Sequence, residues 1–367
     1  MALAIKNIII LGGFCNVKIT KIVAFVMAIL FLVPLTTSCG KEDRTTLYVL
    51  NWGEYLDPEL IKEFEEQNPD IKINYTTTTS NEEMYTICTT EGSKIDLLVP
   101  SDYMVERLIS EDKLAEINLD NIPNFKYVSD FSATRTFDPE SKYSIPNFIG
   151  TVGIIYNKNL VDEPVTSWDI LWDEKYSGKI MMYDSIRDSI MVALCKLGYD
   201  INTTDPDELA EAGQLLIQQK PLVLAYGTDN IQYDMIGGSV ALAVDYSGSA
   251  AAAINQNSDL AYVVPDEGSN VWVDNYVILK NSEHKEAAER FINFLCDPEI
   301  SARNSEYVGY TTPNSAIDQY LDPAMLENSA YVIEAETLNR CTYFKDIGTD
   351  ALSLWNDVWM EVKTAAK

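Results

Sequence analysis

A chain of 367 residues exceeds one typical hydrophobic core and points to two domains of ordinary size. Its composition, 47% hydrophobic and 23% charged, excludes a disordered chain. The formal net charge of -29 repels phosphate backbones, which argues against nucleic acid, and attracts cations; acidity also serves solubility and names no ligand by itself.

At the amino terminus, Lys18 and Lys21 precede an apolar run from Ile22 to Leu35. That run is too short to span a bilayer and right for the core of a signal peptide. It ends in Leu35-Thr36-Thr37-Ser38-Cys39-Gly40, with Lys41-Glu42-Asp43-Arg44 immediately after. Small residues before a cysteine resemble the bacterial lipobox, where the thiol takes a diacylglycerol and becomes the new amino terminus. Leu35 stands one place further back than in the commonest pattern, and plain secretory cleavage beside a bystander cysteine is the alternative. Residues 1–38 hold Lys6, Lys18 and Lys21 and no acid, so their removal leaves a still more negative chain. A second apolar stretch, Ile8 to Phe14, precedes this leader and suggests translation from near Val17.

Beyond a short tether at 39–45, strand and helix signals alternate without repeats or low-complexity blocks. Thr46 to Leu50 reads as a strand, and Asp57-Pro58 starts a helix with Leu60, Ile61 and Phe64 on one face. Ile71 to Thr79 is strand-like, and Ser80 with Glu83 forms a capping box for the helix through Met84 and Ile87. Ile95 to Val99 is a short apolar strand of the buried kind. Further strands are expected near 151–156, 179–183, 239–245 and 271–279, with helices at 187–197, 206–218 and 284–295. Such alternation predicts an α/β fold with helices covering the sheets.

In α/β sheets, ligands bind beyond the carboxyl ends of strands. Those ends are chemically rich here: Asn51-Trp52-Gly53-Glu54-Tyr55, Ser101-Asp102-Tyr103, Asp184-Ser185 and Asp245-Tyr246. A fifth cluster, Trp272-Val273-Asp274, lies at a strand's start or within it. Rings can wall a cation and carboxylates can replace its water, so recurrent acid-plus-aromatic ends suit capture of an organic cation. Each cluster alone is equally a core ring or a helix cap; the recurrence is what carries weight.

Enzymatic readings fare worse. The single histidine, His284, lies in Ser282-Glu283-His284-Lys285, which reads as an exposed helix start and leaves no histidine triad or multi-histidine metal site. Dinucleotide, phosphate-loop and nucleophile-elbow motifs are absent. Paired carboxylates with aromatic platforms leave glycoside hydrolysis open in principle. After Cys15 and Cys39, the cysteines are Cys88, Cys195, Cys296 and Cys341; none forms a CxxC pair, and Cys195 and Cys296 read as buried thiols. No cofactor is called for.

From Thr46 to about Gly348 the chain resembles the spermidine/putrescine-binding proteins of bacterial polyamine ABC importers. The likeness is carried in order by Leu50-Asn51-Trp52-Gly53-Glu54-Tyr55, Val99-Pro100-Ser101-Asp102-Tyr103, Tyr143-Ser144-Ile145-Pro146 and Lys196-Leu197-Gly198-Tyr199. It continues through Gly248-Ser249-Ala250, Trp272-Val273-Asp274, Ile292-Asn293-Phe294-Leu295 and Gly309-Tyr310-Thr311-Thr312-Pro313-Asn314. Any one segment is weak, whereas the ordered set is specific.

The resemblance implies a type II periplasmic-binding-protein fold, two α/β lobes joined by crossing strands, with 46–149 plus 273–318 in one lobe and 150–272 plus 319–367 in the other. It implies an exported protein, expected to be a monomer, that hands spermidine or putrescine to a membrane permease, while the expected anchor through Cys39 rests on the lipobox-like residues before it. For the site it implies Trp52 and Tyr55 boxing the ligand with Glu54 beside them, hydroxyl contacts from Ser101 and Tyr103, and an amine-pairing acid at Asp188. Tyr246 stands where the family often has tryptophan, Trp272 and Asp274 supply a wall and an amine partner, and Tyr310 adds a ring. Two departures touch ligand choice: Ser185, beside Asp184, replaces a frequent second acid, and Phe344 replaces a frequent glutamine. Asp102 and Asp245 are acids the pattern does not demand. Other organic cations remain an alternative, as does iron, which lacks a convergent ligand set here. An α-amino acid would need an arginine, for which Arg187 is the candidate, although an ion pair orienting Asp188 is the plainer reading of it.

Overall fold

The computed structural model describes residues 44–132, 135–228 and 230–366. The leader, the candidate start near Val17, the tether up to Asp43 and Cys39 lie outside them. Among the described residues no helix is long and apolar enough to cross a membrane.

The strands are β1 (Thr45–Trp52), β2 (Ile71–Thr78), β3 (Leu97–Leu98), β4 (Ser144–Asn157) and β5 (Ile180–Tyr183). They continue as β6 (Val223–Gly227), β7 (Leu242–Tyr246), β8 (Leu260–Val263) and β9 (Val271–Ile278). The helices that position the site are α1 (Pro58–Gln67), α2 (Asn81–Thr89), α3 (Asp102–Ser110), α4 (Ile186–Leu197) and α5 (Pro206–Gln219). After them come α6 (Ser247–Gln256), α7 (Lys285–Leu295), α8 (Pro298–Val308) and α9 (Gly348–Thr364).

Among the described residues the strands hydrogen-bond in the order β2-β1-β3-β9-β4-β7-β5-β6, with β8 on β4. β1 is parallel to β2 and β3, and β5 is parallel to β6 and β7, as strand–helix alternation demands. β9 and β4 run antiparallel between these two parallel halves. β4 serves both: its first part, Ser144–Thr151, pairs with β9, and Val152–Asn157 pairs with β7 and β8. The sequence reading found only its second part. Pro146 has no N–H to give, the pairing register slips between Pro146 and Ile149, and Gly150 and Gly153 further obscure the strand pattern. Apolar clusters flank each half. Leu47, Val49, Phe64, Phe148 and Phe291 lie together beside the β1 half, and Ile154, Trp168, Met182, Leu194 and Trp355 beside the β5 half.

Local chemistry explains the helix starts. Asp57 caps α1 by accepting from Glu59 N at 2.9 Å, with Pro58 at the first helical position. Ser80 caps α2 by accepting from Glu83 N at 3.1 Å. The return half of the expected box shifts, because Glu83 Oε2 accepts from Thr79 N at 3.0 Å and from the Thr78 hydroxyl at 2.6 Å rather than from Ser80 N. Of the expected 95–99 strand, Leu97–Leu98 form the regular ladder, and Asp96 N and Val99 N extend it by donating to Tyr48 O at 2.9 Å and Leu50 O at 3.2 Å. His284 is also a correction: it is half-buried, with Nδ1 3.2 Å from both oxygens of buried Asp96. The helix α9, which the sequence reading passed over, buries Trp355, Val358, Trp359 and Val362 beside α4 and α5.

Candidate functional site

β9 places Trp272, Asp274 and Tyr276 on one face by strand alternation. The cluster thus lies within the strand, near where the carboxyl ends of β1 and β3 deliver their own loops. Tyr55, 8% exposed, donates its hydroxyl to Asp274 Oδ2 at 2.6 Å. Ser101 Oγ donates to Oδ1 at 2.6 Å. Ser101 is fixed in turn by Asn81, which accepts from Ser101 N and donates to Ser101 Oγ, each at 3.1 Å. Burial raises the Asp274 pKa to about 6, and the Ser101 and Tyr55 hydroxyls oppose that rise. The result is a buried carboxylate, 5% exposed, without an ion-pair partner among the described residues and with lone pairs to spare.

The second acid comes from the other half of the sheet. Ser185 caps α4 by accepting from Asp188 N at 3.4 Å, which sets Asp188 in the first turn, where the helix dipole favours negative charge. Tyr246, at the carboxyl end of β7, donates its hydroxyl to Asp188 Oδ2 at 2.8 Å. Asp188 Oδ1 is buried with no partner. Burial raises the Asp188 pKa, opposed by its hydrogen bonding with Ser185 and Tyr246 and by the Arg187 charge nearby.

Rings connect the two acids. Tyr246 lies edge-on to Trp272 at 6.1 Å between centroids and Trp272 edge-on to Tyr310 at 4.9 Å, while Tyr310 and Tyr55 are tilted at 5.8 Å. Two glycines make room for this run. Gly150 pairs across the ladder with Trp272, and a Cβ there would meet the indole at 2.3 Å; a Cβ on Gly248 would meet the Tyr310 ring at 2.4 Å. Sequence reasoning missed two further rings, Tyr183 at 4.8 Å from Tyr246 and Phe148 at 5.2 Å from Tyr55. A ring within an apolar strand gives no signal that separates it from core, so neither was legible.

The remaining expected residues sit differently. Trp52 is half-buried, and its indole N–H, like that of Trp272, is buried without a partner. Glu54 is exposed at the rim and accepts from the Tyr307 hydroxyl at 3.2 Å. Tyr103 is half-buried and donates to Glu82 at 3.1 Å rather than toward Asp274. Asp184 faces outward in an ion pair with Lys363 at 2.8 Å, so it does not supply a second acid beside Asp188. Asp102 and Asp245 are buried but committed. Asp102 accepts from Tyr103 N at 2.7 Å and Val273 N at 3.2 Å, and Asp245 from Tyr246 N at 2.8 Å and Ser249 Oγ at 2.6 Å. They brace the start of α3, which carries Tyr103, and the end of β7, which carries Tyr246. Arg187 makes no ion pair with Asp188; its guanidinium stacks over Phe344 and Trp355. Cys88, Cys195 and Cys296 are buried free thiols, and Cys341 is free and half-buried.

An arrangement of two buried carboxylates separated by rings can strip water from a flexible cation and repay the loss at both ends. It offers no activated nucleophile: the neighbouring phenols of Tyr55 and Tyr246 are pushed well above their ordinary pKa by burial.

Comparison with known proteins gives concordant results. Residues 59–331 match the bacterial extracellular solute-binding protein family. The spermidine/putrescine-binding periplasmic protein of Escherichia coli is 35% identical over 324 residues, 88% of this chain and 92% of that protein. The crystal structure of a spermidine/putrescine ABC transporter substrate-binding protein from Streptococcus pneumoniae superposes with a TM-score of 0.77 at 36% identity, covering 88% of this chain and all of that one (100%). A lipoprotein of Treponema pallidum superposes with a TM-score of 0.78 at 28% identity, covering 86% of this chain and 99% of the other.

Proposed function

The chain belongs to the bacterial extracellular solute-binding proteins, and from that premise we propose that it captures a polyamine, spermidine or putrescine, outside the cytoplasmic membrane for an ABC importer. Its fold is the type II periplasmic-binding-protein fold. The observation that carries the ligand assignment is the pair of buried carboxylates, Asp274 and Asp188, neither in an ion pair among the described residues, at the two ends of a run of rings. Trp52, Tyr55, Ser101, Tyr246, Trp272 and Tyr310 complete the cage, with Ser185 setting Asp188, while Glu54 and Tyr103 contribute at its rim.

The mechanism is closure without chemistry. The acidic surface draws the polycation in, the rings receive its methylene body, and the lobes at 46–149 plus 273–318 and at 150–272 plus 319–367 close around it. Ligand shifts the population to the closed form, which the permease reads. The protein acts as a monomer held by diacylglycerol on Cys39, a tether supported by the small residues before that cysteine and by the lipoprotein nature of the Treponema relative.

Calorimetry of the mature chain against putrescine, spermidine and spermine tests the assignment. Tight binding to at least one, with the ligand recovered unchanged, is the expected result. A chain that ignores all three, or that converts any of them, refutes it.

A further inference from the structure

We infer that Asn81 is a positioning residue for the buried acid of β9: it aims the Ser101 hydroxyl at Asp274 and so keeps that carboxylate charged for an amine, a role that rests on the polyamine reading above. Ser101 stands at the N-cap of α3, where a serine side chain ordinarily accepts from a backbone N–H of the first turn. Its side chain makes no such bond. Tyr103 N donates instead to Asp102 Oδ1 at 2.7 Å. The Ser101 hydroxyl turns to Asp274, with which Ser101 also forms an isolated antiparallel bridge.

Asn81, the first residue of α2 and buried, accounts for the diversion. A backbone N–H can only donate, so the Asn81 atom 3.1 Å from Ser101 N is Oδ1. The atom 3.1 Å from Ser101 Oγ is then Nδ2, which also can only donate. Ser101 Oγ carries one proton, and with Nδ2 donating to that oxygen the proton points elsewhere, to Asp274 Oδ1 at 2.6 Å. A neutral amide thus directs a hydrogen bond onto the carboxylate without installing a cation that would compete with a ligand. The carboxylate needs this support, because burial raises its pKa to about 6 and only the Ser101 and Tyr55 hydroxyls are seen to oppose the rise. Asp102 and the Tyr310 phenol also interact with Asp274, and neither brings positive charge. Beside Asn81, Glu82 is exposed and accepts from the Tyr103 hydroxyl at 3.1 Å, and the Arg187 charge acts on Tyr103 and Asp102.

Calorimetry of the full mature chain with putrescine and spermidine across the acid-to-neutral range tests this. Wild-type affinity should have its midpoint near pH 6, the Asp274 value. Asn81→Leu matches asparagine in size and offers no donor, so its midpoint should move up by about half a pH unit to one unit, and affinity at the wild-type midpoint should fall about two- to fivefold. Ser101→Ala should shift the midpoint likewise, and adding Asn81→Leu to it should shift it little further, since no hydroxyl is left to aim. A purely structural Asn81 would instead weaken binding by one factor at every pH. Thermal melting establishes that the variants fold. A folded Asn81→Leu whose affinity changes by one factor throughout, or not at all, overturns the inference, as does a double variant whose two shifts simply add. Should Asn81→Leu fail to fold, Ser101→Ala decides: an upward shift supports the aimed hydroxyl and an unmoved midpoint overturns it. Each of these results leaves polyamine capture intact, whereas a wild type that binds no polyamine at any pH brings down the function proposed above.

Discussion

Asp274 and Asp188 are equally buried, at 5% and 4% exposure, and carry the same charge, yet the two halves of the sheet hold them by opposite means. Asp274 is rigid on a central strand with both oxygens covered by hydroxyls from distant loops. Asp188 sits in the first turn of a helix, capped through its backbone, with one oxygen covered and one bare. The contrast assigns different work to chemically identical groups. The strand-held acid is pre-organised before any ligand arrives, and the helix-held acid is left a bond short that a ligand can complete.

The largest effect should come from breaking the pre-organised end. Asp274→Asn is expected to weaken polyamine binding by about 2–5 kcal/mol, the cost of losing one member of a buried charge pair. Asp188→Asn, already assisted by the helix terminus, should cost about 1–3 kcal/mol. Calorimetry on both variants ranks them, and a larger loss at Asp188 would reverse the comparison drawn above. Acidification sharpens it next. With the Asp274 pKa raised to about 6, affinity should fall as pH drops below that value, by up to about tenfold per unit, while the ligand's amines stay charged. The free protein moves the other way. Its folded pKa lies above the unfolded value of about 3.9, so the folded state binds the proton more tightly and this group adds stability as pH falls from about 6 toward 4. Melting temperatures of wild type and Asp274→Asn across that window should therefore diverge for the free chain, and parallel curves would count against the assignment. The smallest effect belongs to the rim: Glu54→Gln, at an exposed site, should change affinity by less than about 1 kcal/mol.

The sequence is most legible where several strands end in an acid and a ring, because their recurrence, rather than any one cluster, points to a shared site. That logic picks out Trp52 and Tyr246, whereas Asp274, read at a strand's start or within it, takes its role from the family resemblance. The same logic also picks out Asp102 and Asp245, whose oxygens go to backbone N–H groups and a serine, since a carboxylate that braces a loop and one that awaits a cation look alike in a string of letters. The covering of Asp274 was hidden by distance, as Tyr55 and Ser101 stand 219 and 173 residues away in the chain. The roles of Gly150 and Gly248 were hidden for a related reason: what matters at each is a ring from another segment lying where a methyl would be. The outward pairing of Asp184 with Lys363 required α9, which the reading had not placed.

Because one strand supplies backbone partners to both sides of the sheet, neither side keeps a complete ladder when separated from the other. Melting should consequently be a single cooperative event, and splitting the gene between Gly150 and Thr151 should yield two insoluble fragments instead of two working halves.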